Sequence, residues 1–265
     1  MPINRNIQRK VNIKPSIVKK QTKQKAVEFT NAPIKNQKMS KIVPKDKIKR
    51  THVLPHRDEN NKLKKIWNGD TVYIVGGGPS LKNFNWNQLK GKHTIAINKA
   101  FQVMPWSEVV YWTDARFYRW NKPAIDSLKG IKVTCRNAPS LAPDVVLLTT
   151  SGRTGLDKRP NFIRAGNNSG FAAINVAFHL GVKKIYLLGF DMESGDGKTH
   201  WHEGYGIRHD HKIYERNMIG NFDGVFELLK TEGIELWNAN PKSKLRSIPK
   251  CTVEDALNDC PVRTS

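Results

Sequence analysis

Short runs of apolar residues recur along the last three quarters of the chain. The first run, Thr71–Val75, contains β-branched residues and ends in Gly-Gly-Gly-Pro-Ser. Runs of this length are typical of strands that are buried on both faces of a parallel sheet. Seven strands are predicted, at residues 71–75, 94–97, 108–112, 131–134, 145–148, 184–188 and 234–237.

Segments with apolar residues at helical spacing separate most of these strands. Helices are predicted at residues 81–89, 117–128, 169–180 and 213–231, with a further short helix at residues 253–257. Strands that alternate with helices favour an α/β fold. We therefore predict a Rossmann-like domain with a mostly parallel sheet and helices on both faces.

The first 65 residues follow neither pattern. They hold 19 lysine and arginine residues against four acidic residues, and thus +15 of the +22 net charge of the 265-residue chain. Residues 1–65 are therefore predicted to be a basic, largely disordered arm. The arm is either a solvated tail or a non-specific contact for nucleic acid or an acidic partner. Residues 66–240 form the predicted Rossmann-like domain and residues 241–265 a C-terminal extension.

Cysteine usage and hydropathy indicate the setting in which the chain works. The three cysteines lack the spacing of a metal knuckle, and no apolar run approaches the roughly 20 residues that span a bilayer. The N-terminus is basic but lacks the apolar core of a secretory signal. We therefore expect a cytoplasmic protein with reduced thiols and no membrane span.

The glycine turn after the first strand is the strongest candidate for a ligand site. Glycines allow a backbone to approach a ligand closely, and a helix that follows directs free N–H groups at an anion. Ser80 is predicted to be an N-cap that could also donate to a phosphate. The turn matches neither the spaced dinucleotide fingerprint nor a P-loop. The candidate residues are Gly76, Gly77, Gly78, Pro79 and Ser80.

Polar residues follow several of the other predicted strands. Asn98 comes directly after the second strand, and Asp114 comes just after the third. Ligands of open α/β sheets collect at the carboxyl ends of the strands. Asn98 is therefore a candidate contact for a base or ribose, and otherwise a turn-capping residue. Asp114 is either a helix cap or a ligand contact.

A second helix start and a second strand end carry similar signals. Ser169 and Gly170 open a predicted helix within Asn-Asn-Ser-Gly, which either binds an anion or is capped in the ordinary way. Asp191 follows the strand at residues 184–188. A carboxylate there could contact a ribose, hold a metal or orient a histidine.

Histidines cluster between residues 200 and 211. Four of the eight histidines fall in this segment, interleaved with a tryptophan, a tyrosine and an arginine. Histidine can act as a general base, a phosphate contact or a metal ligand. No third ligand is fixed by spacing, so no metal is assigned. The favoured interpretation is a substrate lid with one catalytic histidine; an incidental surface loop is the alternative. The candidates for the base are His202, His209 and His211.

Five motifs resemble those of a Rossmann-like superfamily and occur in its order. The superfamily includes the bacterial lipooligosaccharide sialyltransferases and the 6-hydroxymethylpterin diphosphokinase-like proteins, and similar sequences occur in bacteriophage genomes. The resemblance covers roughly residues 71–238. The motifs are VYIVGGGPSL, TIAIN, VVYWTD, NSGFAAINVAFHLG and KIYLLGFD.

Three functions follow from this resemblance. In the sialyltransferases the glycine turn, the asparagine after the second strand and the Ser-Gly helix start bind the nucleotide of a CMP-sugar. This implies a nucleotide-sugar-dependent glycosyltransferase, with a lid histidine as the base. The diphosphokinase-like branch implies a pterin-type diphosphotransferase that uses ATP with magnesium held by Asp114 or Asp191. The phage relatives imply a non-catalytic morphogenesis or nucleic-acid-associated protein, located in the host cytoplasm.

Overall fold

A computed structural model describes residues 57–58, 62–193, 200–202 and 212–259. The strands are β1 Thr71–Val75, β2 His93–Ile97, β3 Val109–Trp112, β4 Ile131–Thr134, β5 Val146–Leu147, β6 Thr149–Gly152, β7 Phe162–Arg164, β8 Lys184–Leu188 and β9 Glu235–Asn238. The helices are α1 Ala115–Asp126, α2 Ser169–Leu180, α3 Ile213–Asn217, α4 Val225–Thr231 and α5 Val253–Leu257.

Seven of these strands form one parallel sheet in the order β5-β4-β3-β2-β1-β8-β9. The chain moves outward from β1 to β5 and then returns to place β8 on the other side of β1. The strand order therefore reverses at β1, which creates a topological switch point between β1 and β8. This arrangement confirms the predicted Rossmann-like α/β fold.

The core lies on both faces of the sheet because alternate residues of each strand point to opposite sides. Val72 and Ile74 of β1 belong to one buried cluster, which includes most of α2. Tyr73 and Val75 belong to the other, which includes residues of α1 and α5. Ten of the twelve residues of α2 are buried. The central strands β1, β3 and β8 are mostly apolar because both of their faces are covered.

The predicted helix at residues 81–89 is wrong. Two short 3₁₀ helices, Pro79–Leu81 and Trp86–Leu89, occupy that part of the chain. The Asn85 side chain accepts a hydrogen bond from the backbone N–H of Asn87 at 3.2 Å. Asparagine competes in this way with helical hydrogen bonds, and the segment contains three asparagines among its nine residues.

The predicted helix at residues 213–231 is divided into three parts. Between α3 and α4 lies a 3₁₀ helix at Ile219–Phe222. Gly224 then adopts the left-handed conformation, with φ of +79°, and precedes α4. A glycine reaches this conformation without steric cost, so an apolar pattern of helical period does not prevent the interruption.

The strands β6 and β7 were not predicted. They pair in parallel with each other, outside the main sheet. The sequence of β6, Thr-Thr-Ser-Gly, has no alternation of apolar and polar residues that would indicate a strand. Asn175 of α2 attaches them to the core, because its Oδ1 accepts hydrogen bonds from the N–H groups of Asp157 and Arg164. The side chain of Asn175 is itself buried within an apolar helix.

Both ends of the described chain pack against the domain. Leu63 is 7% exposed, and it forms an antiparallel bridge with the buried Arg57. Ordered packing therefore begins before the predicted boundary at residue 66, whereas residues 1–56 of the predicted arm lie outside the described residues. The predicted C-terminal helix is confirmed as α5. Among the described residues, no helix has the length and hydropathy needed to cross a membrane.

Candidate functional site

A cavity of about 590 Å³ opens at the carboxyl edge of the sheet, next to the switch point. Residues that follow β1, β2, β3, β4 and β8 form its walls together with the start of α2. This is where the rule for open α/β sheets expects a ligand. The volume falls in the range of small-molecule and cofactor sites.

Most of the predicted site residues come together around this cavity. Pro79 and Ser80 are not among the lining residues, and neither is His202. His209 and His211 lie outside the described residues. Eight predicted residues line the cavity: Gly76, Gly77, Gly78, Asn98, Asp114, Ser169, Gly170 and Asp191.

The glycine turn is shaped by its neighbour, the turn after β8. Gly78 donates its N–H to the carbonyl of Gly189 at 2.8 Å, and Gly76 donates to the carbonyl of Leu188 at 2.8 Å. A Cβ at residue 78 would lie 2.5 Å from the Gly189 oxygen and 2.7 Å from Cγ of Asp191. Glycine at residue 78 is therefore required by the contact between the two turns, whether or not a ligand is present.

Ser80 is not an N-cap, contrary to the prediction. The 3₁₀ helix at Pro79–Leu81 has Gly78 as its N-cap and no side-chain cap. Ser80 instead donates its backbone N–H to Oδ2 of Asp191 at 2.7 Å and its hydroxyl to Oδ1 at 2.6 Å. Asn240 donates a third hydrogen bond to Oδ1 at 2.7 Å. The donors that were expected to hold a phosphate thus hold a carboxylate of the protein, which is 4% exposed.

The start of α2 is capped in the ordinary way. Asn168 has extended backbone angles, and its Oδ1 accepts hydrogen bonds from the N–H groups of Gly170 at 2.7 Å and Phe171 at 3.2 Å. A Cβ at residue 170 would lie 2.4 Å from the ring of Phe190, so glycine is needed for packing here too. The helix still directs its positive dipole end at the cavity.

Asp114 caps α1 and also lines the cavity. Its Oδ1 accepts the N–H of Arg116 at 2.8 Å, and its two oxygens accept hydrogen bonds from the Arg116 guanidinium. The hydrogen bonds from Arg116 hold the pKa of the Asp114 carboxyl below its usual range. The carboxylate stays ionised, but its charge is largely matched by Arg116.

The polar residues after β4 were missed by sequence reasoning. Arg136 and Asn137 follow β4 and line the cavity as exposed side chains. Within the described chain Arg136 has no carboxylate at ion-pair distance, so its charge is available to an anion. The rule that identified Asn98 and Asp114 as residues after a strand end would also have identified these two.

Asn98 has an unsatisfied side chain. Its backbone lies in the left-handed region, with φ of +49°. Its Oδ1 is buried and accepts no hydrogen bond from any described residue. A buried acceptor without a donor is unfavourable by about 1–3 kcal/mol, and such groups in folded proteins are usually satisfied by a partner. A ligand N–H or O–H in the cavity would supply that partner.

Comparison with known proteins gives no relative from which the function of this cavity could be transferred. No protein-family model, curated protein or solved structure matches the chain. The resemblance carried by the five motifs therefore stays a prediction.

Residues 200–202 pack directly on the glycine turn. Trp201 donates its backbone N–H to the Gly77 carbonyl at 2.9 Å and its indole N–H to the Gly76 carbonyl at 3.1 Å. The indole also packs against Trp86, with ring centroids 4.9 Å apart. These contacts fix the position of the two histidines that flank Trp201.

His200, which was not among the predicted bases, is the described histidine that lines the cavity. A Cβ at residue 77 would lie 2.4 Å from its Cδ2, so the imidazole rests on the glycine backbone. The ring of His202 lies 5.1 Å from that of His200, measured between centroids. The His-Trp-His sequence predicts two imidazoles on one side of an extended segment, but it does not indicate which one faces the cavity.

Proposed function

We propose that this chain is a nucleotide-sugar-dependent glycosyltransferase-like protein, similar to the sialyltransferases, and that it binds the nucleotide of its donor in the cavity at the carboxyl edge. The observation that carries the proposal is the buried, unsatisfied Oδ1 of Asn98 at the wall of this cavity. An amino group of a base or a ribose hydroxyl would donate to it. Asn98 is also the residue that the motif resemblance assigns to the nucleotide.

The phosphate of the donor would meet Arg136 and the N-terminal end of α2. The guanidinium supplies a charge-assisted hydrogen bond, and the helix supplies its dipole. The glycine turn would offer the phosphate only the N–H of Gly77. The N–H of Ser80 already donates to Asp191, and the N–H of Gly78 already donates to the Gly189 carbonyl.

In the transfer itself the acceptor hydroxyl oxygen attacks the anomeric carbon of the donor sugar. The bond from that carbon to the phosphate oxygen breaks, and the nucleotide leaves with the electron pair. A histidine takes the proton of the hydroxyl. His200 is the described candidate with direct access to the cavity, while His202, His209 and His211 remain candidates from the sequence. Positive charge at Arg136 would stabilise the departing phosphate.

The pterin-type alternative fits the described residues less well. Magnesium prefers carboxylate oxygens that are open to it and to water. Both oxygens of Asp114 accept from Arg116, and both oxygens of Asp191 accept from Ser80 or Asn240. A magnesium ion would compete with these donors for the carboxylate oxygens, which is why the described arrangement favours this alternative less.

The first experiment measures the melting temperature of the full chain with CMP, UDP, GDP and ATP, each with and without magnesium. We expect CMP or UDP to stabilise the chain without metal, because a ligand that binds only the folded state raises its stability. Stabilisation by ATP that requires magnesium would support the diphosphotransferase instead. No shift with any nucleotide would exclude both enzymes and leave the non-catalytic protein.

A matched pair of variants locates the nucleotide. Arg136→Gln should weaken its binding roughly tenfold, as expected for the loss of one charge-assisted hydrogen bond. Arg153→Gln removes the same charge from an exposed residue outside the cavity and should leave the affinity unchanged. Equal affinities for the two variants would place the nucleotide elsewhere.

Release of CMP from a CMP-linked sugar, measured for His200→Ala and His202→Ala, then tests which of these two histidines is the base.

A further inference from the structure

The opposite, amino-terminal edge of the sheet carries a second feature, a groove of about 780 Å³. Its walls include the residues just before β1 and β8, the C-terminal end of α2 and the loop at residues 158–161. The last part of the basic sequence at residues 1–65 forms one side. Five lysines line the groove: Lys62, Lys64, Lys65, Lys158 and Lys183.

The positive charge of this groove is mostly uncompensated. Asp58 and Glu232 are the acidic residues among those that line it. Glu232 forms an ion pair with Lys158. Lys62, Lys64, Lys65 and Lys183 are exposed, and no carboxylate of the described residues lies at ion-pair distance from any of these four. Like charges held this close together favour a partner of opposite charge.

The stems of two of these lysines are supported from below by glycines. A Cβ at Gly69 would lie 3.3 Å from Cγ of Lys183, and one at Gly181 would lie 3.2 Å from Cβ of Lys65. Both glycines have positive φ, +88° and +93°, which glycine adopts readily. The stem of Lys183 therefore lies along the backbone of Gly69, whereas Gly181 contacts only the first carbons of the Lys65 side chain.

The composition of the groove favours phosphate over a protein surface. The centres of protein interfaces are enriched in arginine and exposed aromatic residues and depleted in lysine. Among the described residues that line this groove there is no arginine, Trp67 is only 2% exposed and Phe178 is partly buried. Lysine acts as a point charge that binds phosphate without directional requirements. The lack of an exposed aromatic platform argues against base stacking.

We propose that this groove, the amino-edge groove, binds the phosphate backbone of double-stranded nucleic acid without sequence preference. Such binding depends on the release of counterions and is strongly salt-dependent. The groove lies at the edge opposite to the nucleotide cavity. The proposal is therefore independent of the proposed transferase, and each can fail without the other.

The test compares two full-length variants that have lost the same charge. One carries Lys62→Gln, Lys64→Gln, Lys65→Gln and Lys183→Gln in the groove. The control carries Lys82→Gln, Lys90→Gln, Lys129→Gln and Lys242→Gln, four exposed lysines that line neither cavity. Both variants retain residues 1–56, so the contribution of that segment is the same in each.

The measurement is the fluorescence anisotropy of a labelled duplex DNA of mixed sequence, titrated at several salt concentrations. We expect the groove variant to bind at least roughly tenfold more weakly than the control variant. We also expect the slope of log affinity against log salt to become less steep by about 3.6, which is about 0.9 for each of four lost phosphate contacts. Equal affinities and slopes for the two variants would overturn the proposal.

A polyglutamate peptide of matched charge distinguishes the other macromolecular partner. If the groove variant loses affinity for the peptide as strongly as for the duplex, and the wild type binds both equally well, the groove is a contact for acidic proteins and the proposal is wrong. Weak peptide binding that is equal in the two variants supports the nucleic-acid assignment. The melting temperatures of both variants confirm that they remain folded.

Discussion

Asp191 is the residue on which the geometry of the glycine turn depends. Its carboxylate joins the turn after β8 to the turn after β1 and to Asn240, through three hydrogen bonds of 2.6–2.7 Å. A bound phosphate and a buried carboxylate present similar oxygens to backbone N–H groups. The protein thus supplies its own anion to the backbone N–H and hydroxyl of Ser80.

We expect Asp191→Asn to lower the free energy of unfolding by about 2 kcal/mol. The amide has one acceptor oxygen where the carboxylate has two, so its NH₂ group must face a donor from Ser80 or Asn240. Urea denaturation followed by circular dichroism measures the change. Asp223→Asn, at an exposed carboxyl, is the control and should stay within about 0.5 kcal/mol of the wild type. A similar stability for both variants would show that the Asp191 contacts contribute little.

The sequence could predict many of the residues that line the cavity, but not all of them and not how each is used. Asn98, Asp114 and Asp191 were recognised because each follows a strand, and position along the chain is sufficient for that. The role of Ser80 was missed because its partner Asp191 lies 111 residues away. Hydrogen bonds between distant segments depend on the packed geometry of two turns, which no local pattern encodes.

Among the elements, buried strands were predicted best. β1, β4 and β8 match their predicted bounds. For β1 and β8 the reason is that a strand covered on both faces is mostly apolar, whereas β4 also holds the buried Lys132. β6 and β7 are held by the side chain of Asn175 instead, and a single polar contact leaves no periodic signal. Helices failed where asparagine or glycine supplied a competing local conformation, as in residues 81–89 and 213–231.

The short helix α5 is held to the sheet by two tyrosines of neighbouring strands. Tyr73 of β1 donates its hydroxyl to the carbonyl of Ala256 at 2.8 Å. Tyr186 of β8 donates to Oδ1 of Asp259 at 2.9 Å, and the two rings stack with centroids 5.4 Å apart. Because five residues form too short a helix to be stable alone, α5 depends on these contacts.

These tyrosines should make the chain sensitive to alkaline pH. Burial, followed by the charge of Asp259, raises the pKa of Tyr73 to about 12, and burial with the Asp259 hydrogen bond raises that of Tyr186 further. The unfolded value is about 10. The stabilisation is therefore complete below about pH 10 and is lost as the pH rises toward the folded values.

We expect the double variant Tyr73→Phe with Tyr186→Phe to be less stable than the wild type by about 2 kcal/mol near neutral pH, since two buried hydrogen bonds are lost. This difference should narrow by about 1–3 kcal/mol near pH 11, where the wild type has an ionisation cost that phenylalanine lacks. Urea denaturation at both pH values measures it. Burial raises the pKa of the Cys251 thiol to about 11, so this thiol also titrates in the same pH range. The comparison of the wild type with the double variant is therefore repeated in a Cys251→Ala background. If the stability difference between the wild type and the double variant is the same at both pH values, the two tyrosines are not the source of the sensitivity to alkaline pH.

At the scale of the whole molecule, the two edges of one parallel sheet differ in chemistry. The carboxyl edge collects polar residues from separate strand ends around the cavity in which we propose that a nucleotide binds, as the topology requires. The amino edge holds the lysine-lined groove beside the end of the basic N-terminal sequence. A polymer of phosphates and a single nucleotide could therefore bind the same domain without competing for space.

The position at which the folded domain begins gives the last prediction. Leu63 is packed in the core together with Trp67, and its backbone N–H donates to Oδ1 of Asn161 at 3.3 Å. Deleting residues 1–65 removes Leu63 and should lower the free energy of unfolding by about 2–4 kcal/mol, because burial of one leucine accounts for about 1.5–3 kcal/mol and the lost hydrogen bond for the rest. Urea denaturation provides the measurement.

Two controls separate this effect from the loss of the basic sequence as such. Deleting residues 1–49 keeps Leu63 and should leave the stability within about 0.5 kcal/mol of the full chain. In the full chain, Leu63→Ala should reproduce most of the loss, whereas Lys64→Ala, at the exposed neighbouring residue, should not. If both deletions unfold at the same urea concentration as the full chain, the packing of Leu63 does not contribute to the fold. The domain would then begin at residue 66, the boundary that composition alone predicts.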